Sequence, residues 1–334
     1  MAQSSTHPGD RTFDPASARG EDAARTGGVI GDPTTLADLG SGGESSARKQ
    51  ASLWGDAWRR LIRNKLAVIG LIIVVSFTVI AVSAPLIAPY GESEVIAPEY
   101  IGETKGLSSS WTFPFGVDLN GRDLFSRMMY GARVSLVVGV LSQVIVLVIG
   151  VPIGAIAGYY GGQTDNILMR LVDVVYAIPQ LLLVLMIVNW RGPGLINIFL
   201  AIGLVGWVTE TRLVRGQFLS LREQEYVKAS KVAGANGFYI IGRHLLPNSL
   251  TPIIVALTFG IPTAIFTEAA LSFVGVGIRP PQVSWVQMVG EGQAFVRSYP
   301  HLLLFPTLAI GLTMLGFTFL GDGLRDALDP KGND

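Results

Sequence analysis

Long apolar runs separated by short polar segments constrain this chain more than any other feature of its sequence. The first of them, LAVIGLIIVVSFTVIAVSAPLI, covers residues 66–87 and contains no charged side chain. About 20 consecutive apolar residues are enough to cross the hydrocarbon core of a bilayer as a helix. A closed β-barrel would instead show short segments of alternating polarity. The sequence therefore predicts an all-α membrane protein that crosses the bilayer several times.

The composition supports this class and excludes others. Only 15% of the residues are charged and the mean hydropathy is +0.46, whereas soluble domains carry roughly a quarter charged residues. A formal net charge of zero gives no indication of nucleic-acid binding. The absence of cysteine excludes disulfides and thiolate metal sites. The three histidines, His7, His244 and His301, are too scattered to predict a metal site.

Six apolar runs are long enough to be spans, and none of them shows an internal repeat of another. We predict transmembrane helices at residues 66–87, 132–158, 167–189, 196–213, 248–274 and 301–320. Lys and Arg cluster before the first span and again between the fourth and fifth spans. Because cytoplasmic loops are enriched in these residues, both clusters and both termini are predicted to be cytoplasmic.

The chain divides into three parts by composition. Residues 1–50 are rich in Ser, Gly, Asp, Thr and Pro, and we predict a disordered cytoplasmic tail. Residues 51–65 place Trp58, Leu61 and Ile62 at helical spacing among Arg59 and Arg63, which predicts an amphipathic helix in the headgroup layer. The same segment can also be described as the charged start of the first span. Residues 66–330 form the six-helix domain, with a polar cytoplasmic loop at 220–247.

That loop carries its own helix signals. Ser220 and Glu223 match a capping box, and Gly234 suits the left-handed position after a helix, so we predict a short helix over 221–233. Asn236 can cap a second helix, and Pro247 is well placed at the start of the fifth span. The loop is either an ordinary connection folded against its own bundle or a docking element.

The run EYVKASKVAGANGFYIIGRHLLPN, at 225–248, resembles the EAA loop of ABC importer permeases. Ala229, Gly234, Leu246 and Pro247 match the general pattern, whereas Lys228, Ser230 and His244 depart from it. The dipeptide/oligopeptide branch is more similar, and further motifs of that branch occur in order between residues 53 and 330. These are FGVDLNGRDLFSRMMYGARVSL, GYYGG, RLVDVVYAIP, TEAALSFVGVGIRPPQVSW and GDGLRDALDP.

The resemblance implies the C-type permease subunit of a peptide importer with the type I (MetI-like) fold. It implies that segment 221–235 is a coupling helix lying in a groove of a separate ATPase subunit. The residues expected to couple are Glu225, Lys228, Ala229, Ser230, Gly234, Ala235, His244, Leu246 and Pro247.

The implied partners are a second, homologous permease subunit in a heterodimer, two ATPase subunits and an extracytoplasmic solute-binding protein, in a prokaryotic cell membrane. ATP and Mg²⁺ would be used by the ATPase subunits, and no cofactor is expected on this chain. Nickel complexes or another small solute are the alternative cargo. A self-contained channel or carrier is the alternative function.

Three polar or helix-bending residues in the spans are candidates for the translocation path. Glu268 either lines the path or orders the loop that follows, since an ionised group in a span is costly unless it faces the bundle interior or water. Asp173 either lines the path or pairs with Arg170 one turn earlier. Pro262 is either a hinge or a static bend.

Two further features are predicted on the outer side. The cluster of Arg122, Asp123 and Arg127 either contacts a delivery protein or stabilises the fold, and Trp285 is predicted to anchor a loop at the interface. No phosphate-binding Gly-x-x-x-x-Gly-Lys-Ser/Thr loop and no hydrolase or metalloprotease motif occurs in the sequence. We therefore predict that the chain is not an enzyme.

Overall fold

A computed structural model of the chain describes residues 53–102 and 109–328; the tail predicted at 1–50 lies outside them. The helices in these ranges are α1 Leu53–Arg63, α2 Lys65–Ile87, α3 Leu124–Tyr160, α4 Gly162–Tyr176, α5 Gln180–Arg191, α6 Leu195–Leu221, α7 Glu225–Val232, α8 Gly237–Ile240, α9 Leu246–Phe273, α10 Trp285–Gly292 and α11 His301–Leu328. Short 3₁₀ turns lie at Pro98–Tyr100 and Gln293–Phe295, and a π-helical turn lies at Ile241–Leu245.

Five of these segments are long and apolar enough to cross a membrane: α2, α3, α6, α8 together with α9, and α11. A sixth span is present if α4 and α5, which meet at an angle of 79°, are counted as one. The third span, predicted at 167–189, is therefore broken into two helices rather than formed by one. Pro179 disfavours helical geometry at the residue before it, Ile178, and the helix ends at Tyr176.

The most extensive contact between two helices joins α3 and α6. A Cβ atom built on Gly154 would lie 2.6 Å from the carbonyl oxygen of Thr211 and 2.8 Å from Cβ of Val214. Gly150 and Gly158 make similar close approaches one turn to either side. Small residues at this spacing let helix backbones approach closely in a membrane. Later residues of α3 contact later residues of α6, so the two helices run parallel.

Helix α1 packs against the ends of α2 and α11 in the segment where an interfacial helix is predicted. Its inner face buries Ala57 and Leu61 against Ala327, while Trp58 and Ile62 are about half exposed. Asn64 ends the turn between α1 and α2, and its side-chain oxygen accepts hydrogen bonds from the first amides of α2. The headgroup location of α1 stays a prediction.

The opposite end of the bundle holds a buried ion-pair cluster. Nη1 of Arg127, whose side chain is 1% exposed, lies 2.5 Å from Oδ2 of Asp118 and 2.7 Å from Oε2 of Glu291. Arg122 pairs with the same Asp118 at 2.7 Å. Asp123 instead caps α3 by accepting from the amide of Ser126. Of the two readings of this cluster, its burial supports the one in which it stabilises the fold.

Trp285 is not an interfacial anchor, contrary to the prediction. It is 1% exposed, its indole N–H donates to the carbonyl of Met128 at 2.8 Å, and its ring meets Phe77 edge-on. Gly131 provides the space for the ring, because a Cβ atom there would lie 2.7 Å from Cδ1 of Trp285. Trp285 therefore joins α10 to α2 and α3 within the core.

Candidate functional site

The polar loop between α6 and α9 begins later than predicted. Helix α6 continues to Leu221, so Ser220 lies within its last turn and caps nothing, and α7 spans Glu225–Val232 rather than 221–233. The capping-box prediction is therefore wrong. Glu223 instead pairs with Lys228, with Oε2 and Nζ 3.4 Å apart. The hydrogen bond from Lys228 holds the pKa of Glu223 below its ordinary value.

The other end of α7 matches the prediction. Gly234 has φ = +83°, the left-handed conformation that favours glycine. The amide of Ala235 donates to the carbonyl of Ser230 at 3.0 Å, which closes the end of the helix. The side-chain oxygen of Asn236 then accepts from the amide of Phe238 and starts α8. These contacts give a compact helix–Gly–helix unit.

One side of this unit is seated on the bundle. Val227, the buried residue of α7, joins Ile240 and Leu245 in a fully buried cluster with Val214 and Phe218 at the end of α6. The hydroxyl of Ser230 lies 3.3 Å from Nε2 of His244, and the rings of Tyr226 and Tyr239 flank that imidazole. Helix α7 is therefore fastened both to α6 and to the segment that precedes α9.

The connection to α9 contains no loop. The π-helical turn at Ile241–Leu245 passes directly into α9 at Leu246, and Pro247 lies in the first turn of α9. Asn248 also donates from its side chain to the carbonyl of His244 at 2.6 Å. The segment after α8 is thus joined to the start of α9 without an intervening loop.

All of the predicted coupling residues lie in this unit or at its junction with α9. Glu225, Lys228, Ala229 and Gly234 are exposed, as is Pro247. The partly buried members are Ser230, Ala235, His244 and Leu246. The most exposed apolar side chain of α7 is Val232, at 90%, which the pattern did not single out. The sequence signal that could have identified Val232 is an apolar residue on the solvent-exposed side of a short polar helix.

A cavity of about 450 Å³ opens where the third span is broken. Its walls come from α3, the α4–α5 break, α6 and α9. The polar side chains on the walls are Gln143, Tyr176, Gln180, Thr209, Glu210, Thr263 and Thr267. Glu210 is only 8% exposed, and its Oε2 atom is buried without a hydrogen-bond partner.

The three predicted path residues do not line this cavity. Glu268 is fully buried on α9 beside Ser284, and neither carboxylate oxygen makes a hydrogen bond of normal geometry to a described residue. Pro262 is buried within an uninterrupted α9. Asp173 accepts from Arg212 on α6 at 2.7 Å, so the predicted pair with Arg170 is replaced by a contact between helices. Their roles in transport stay predictions.

Sequence reasoning missed Glu210, although the signal was present. It lies inside the predicted fourth span, 196–213, as an acid among apolar residues. An ionised side chain within a span is costly unless it faces the bundle interior or water, and this argument applies to Glu210 as it does to Glu268. In the described part of the chain, no group of three or more His, Asp or Glu side chains is placed to hold a metal ion.

Comparisons with known proteins agree with the motifs. Residues 150–333 match the family described as binding-protein-dependent transport system inner membrane component. Residues 52–101 match the N-terminal transmembrane domain of oligopeptide transport permease C.

Relatives are similar over most of the chain. The oligopeptide transport system permease protein OppC of Bacillus subtilis is 43% identical, over 86% of this chain and 93% of its own. The dipeptide permease DppC of the same organism is 45% identical, with 86% and 89% covered. The glutathione permease GsiD of Pectobacterium atrosepticum is 40% identical, with 83% and 91% covered.

A solved structure of the MetNI methionine ABC transporter, in an inward-facing conformation, shares the fold. Its TM-score is 0.51 at 19% identity, over 60% of this chain and 96% of that one. The family match, the relatives and the seated helix before α9 agree with one another. The chain therefore belongs to the binding-protein-dependent transport system inner membrane components and is a permease subunit of an ABC importer.

Proposed function

We propose that this subunit imports small peptides, providing half of a translocation path that a separate ATPase drives. The support for peptides is that relatives at 43% and 45% identity are named for oligopeptides and dipeptides. Nickel complexes or another small solute are the alternative cargo. A self-contained channel is disfavoured, because family membership implies an ATPase and a substrate-binding partner.

The observation that carries the coupling role is the continuity from α7 to the cavity wall. Helix α7 exposes Glu225, Lys228 and Val232 and is held to the bundle by Val227. The following α9 supplies cavity-lining residues along its length, including Phe259, Thr263 and Thr267. Movement of α7 in a groove of the ATPase would therefore shift one wall of the cavity, as alternating access requires.

The assembly we propose has two permease subunits, this one and a homologue, with two ATPase subunits and one extracytoplasmic binding protein. The ATPases hold ATP and Mg²⁺ and face α7 on the cytoplasmic side of a prokaryotic cell membrane. The exposed residues Glu225, Lys228 and Ala229 contact the ATPase groove. Ser230 and His244 fasten the helix, while Gly234, Ala235, Leu246 and Pro247 set the backbone path.

The docking of α7 can be tested by cross-linking, because the chain has no cysteine of its own. We expect Val232→Cys to form a cross-link to an ATPase subunit in membranes that contain the full complex. Trp111→Cys, fully exposed on the opposite end of the bundle, is the control and should form none. Equal cross-linking from both positions, or none from Val232→Cys, would contradict the docking.

Uptake by the reconstituted complex tests the cargo. We expect ATP-dependent accumulation of labelled di- to tetrapeptides in proteoliposomes supplied with candidate binding proteins. Accumulation of a nickel complex without peptide uptake would replace the peptide assignment and leave the permease role standing. Transport by the purified chain without any ATPase would contradict the coupling role.

A further inference from the structure

Glu210 is a buried carboxylate with an unfilled hydrogen-bonding requirement in the middle of a membrane-spanning bundle. It lies on α6, 8% exposed, and its Oε2 atom has neither solvent nor a donor beside it. Burying an anion without a partner is costly. Such an acid is either protonated or neutralised by a cation, and the described residues that line its cavity supply no cation.

The cavity that Glu210 lines has no positive side chain. Its walls include Gln143, Thr209, Thr263 and Thr267 as uncharged polar residues, and no Lys, Arg or His is among the lining residues. The amide of Gln143 is already committed, since it donates to the carbonyl of Gly260 at 3.0 Å. Glu210 is thus the one charged side chain among the described residues that line this cavity.

The cation nearest in the sequence is engaged elsewhere. Arg212 donates to Asp173 at 2.7 Å, and its guanidinium lies 4.1 Å from the centre of the Tyr176 ring. That arrangement holds Arg212 against α4, at the edge of the cavity that Tyr176 lines. Arg215, one turn further along, is paired with Asp165 at 2.5 Å. Neither arginine neutralises Glu210.

We propose that Glu210 binds the protonated amino group of the transported solute as it passes through this cavity. The aromatic ring of Phe259 lines the same space and can add cation–π attraction. A volume of about 450 Å³ suits a small organic molecule. The assignment rests on the proposed import of peptides, for which the N-terminal ammonium group is the cation.

A binding measurement without the solute-binding protein tests recognition by this cavity alone, because the solute-binding protein then cannot select the ligand. The complex of both permeases and both ATPases, in nanodiscs without binding protein, is equilibrated with labelled trialanine or with N-acetyl-trialanine. The two probes share the carboxylate and differ in the ammonium group. We expect trialanine to bind about tenfold more tightly, the order of effect of one charge-assisted hydrogen bond.

Two variants of Glu210 distinguish an effect of its charge from an effect of its side-chain shape. Glu210→Gln should weaken trialanine binding to the level of the acetylated probe, whereas Glu210→Asp should keep the preference for trialanine. Co-purification of the second permease and both ATPase subunits verifies that both variants are assembled. A preference that survives in Glu210→Gln, or no preference in the parent complex, would overturn the assignment.

The outcome for the site is distinguishable from the outcome for the proposed function. Peptide uptake by a complex that shows no ammonium preference would leave the importer standing and remove Glu210 from recognition. Binding of propylammonium that depends on Glu210, without peptide uptake, would retain the cation site and overturn the peptide assignment. Failure of the parent complex to bind either trialanine or propylammonium would overturn the site.

Discussion

Glu210 and Arg127 are both buried charges, but their surroundings differ in kind. Arg127 meets two carboxylates, Asp118 and Glu291, within 2.7 Å. Glu210 has an oxygen with no partner and borders a cavity. A buried charge with partners in the same chain is accounted for by the fold. One without them is the better candidate for a ligand contact.

Substitution of Arg127 tests whether a buried charge with partners in the same chain stabilises the fold. Arg127→Ala would leave Asp118, which is 7% exposed, with less of its compensating charge. We expect a loss of about 3–5 kcal/mol in stability, measured by thermal unfolding of the purified protein. The matched control is Arg59→Ala, because Arg59 is 75% exposed and lies 4.0 Å from Asp56. That exposed pair should contribute about 0–1 kcal/mol. Equal losses would contradict the assignment.

At the scale of the helices, the α3–α6 contact depends on the absence of side chains at Gly150, Gly154 and Gly158. We expect Gly154→Ala to cost about 1–3 kcal/mol, because the added methyl group meets backbone atoms that cannot rotate away. Gly216→Ala on α6 adds the same methyl group with nothing within 4 Å. Its unfolding temperature should be unchanged or raised. A Gly154→Ala protein as stable as the parent would show that the helices can separate without penalty.

The break between α4 and α5 shows that hydropathy can locate a span without showing that its helix is interrupted. Hydropathy predicts one span over 167–189, and the apolar content is indeed there, but Pro179 ends the helical hydrogen bonding. Ile178 and Pro179 then form part of the cavity wall. Irregular backbone at membrane depth is tolerated where it lines a cavity. The cavity that it lines therefore accounts for the irregular backbone at the break.

At the scale of the whole molecule, replacing α7 and the turn after it tests the coupling mechanism. Replacing residues 225–235 with a Gly/Ser linker of equal length should leave membrane insertion and pairing with the second permease intact. It should abolish recovery of the ATPase and ATP-dependent uptake, because Val227 and the exposed face of α7 are lost. Affinity purification followed by an uptake assay measures both. A variant that still assembles with the ATPase and transports normally would refute the coupling mechanism.

Much of the molecule was predictable because the signals are local. Five of the spans were located to within a few residues at their starts or ends, and Gly234 and Asn236 were assigned their structural roles. The predicted capping box at Ser220 failed for a physical reason. Helix α6 continues through that position, and a local capping signal does not reveal how far the preceding helix extends. The location of Trp285 was predicted wrongly because its neighbours in the sequence do not show that helices α2 and α3 enclose its ring.

By itself, the sequence determined which segments are long and apolar enough to cross a membrane, and to which family the chain belongs. Hydropathy, charge bias and motif order are properties of neighbouring residues, and they need no knowledge of packing. Only the tertiary structure decided that Asp173 pairs with Arg212 and that Glu210, rather than Glu268, borders the cavity. Those outcomes depend on the rotation of helices about their axes and on contacts between residues far apart in the chain.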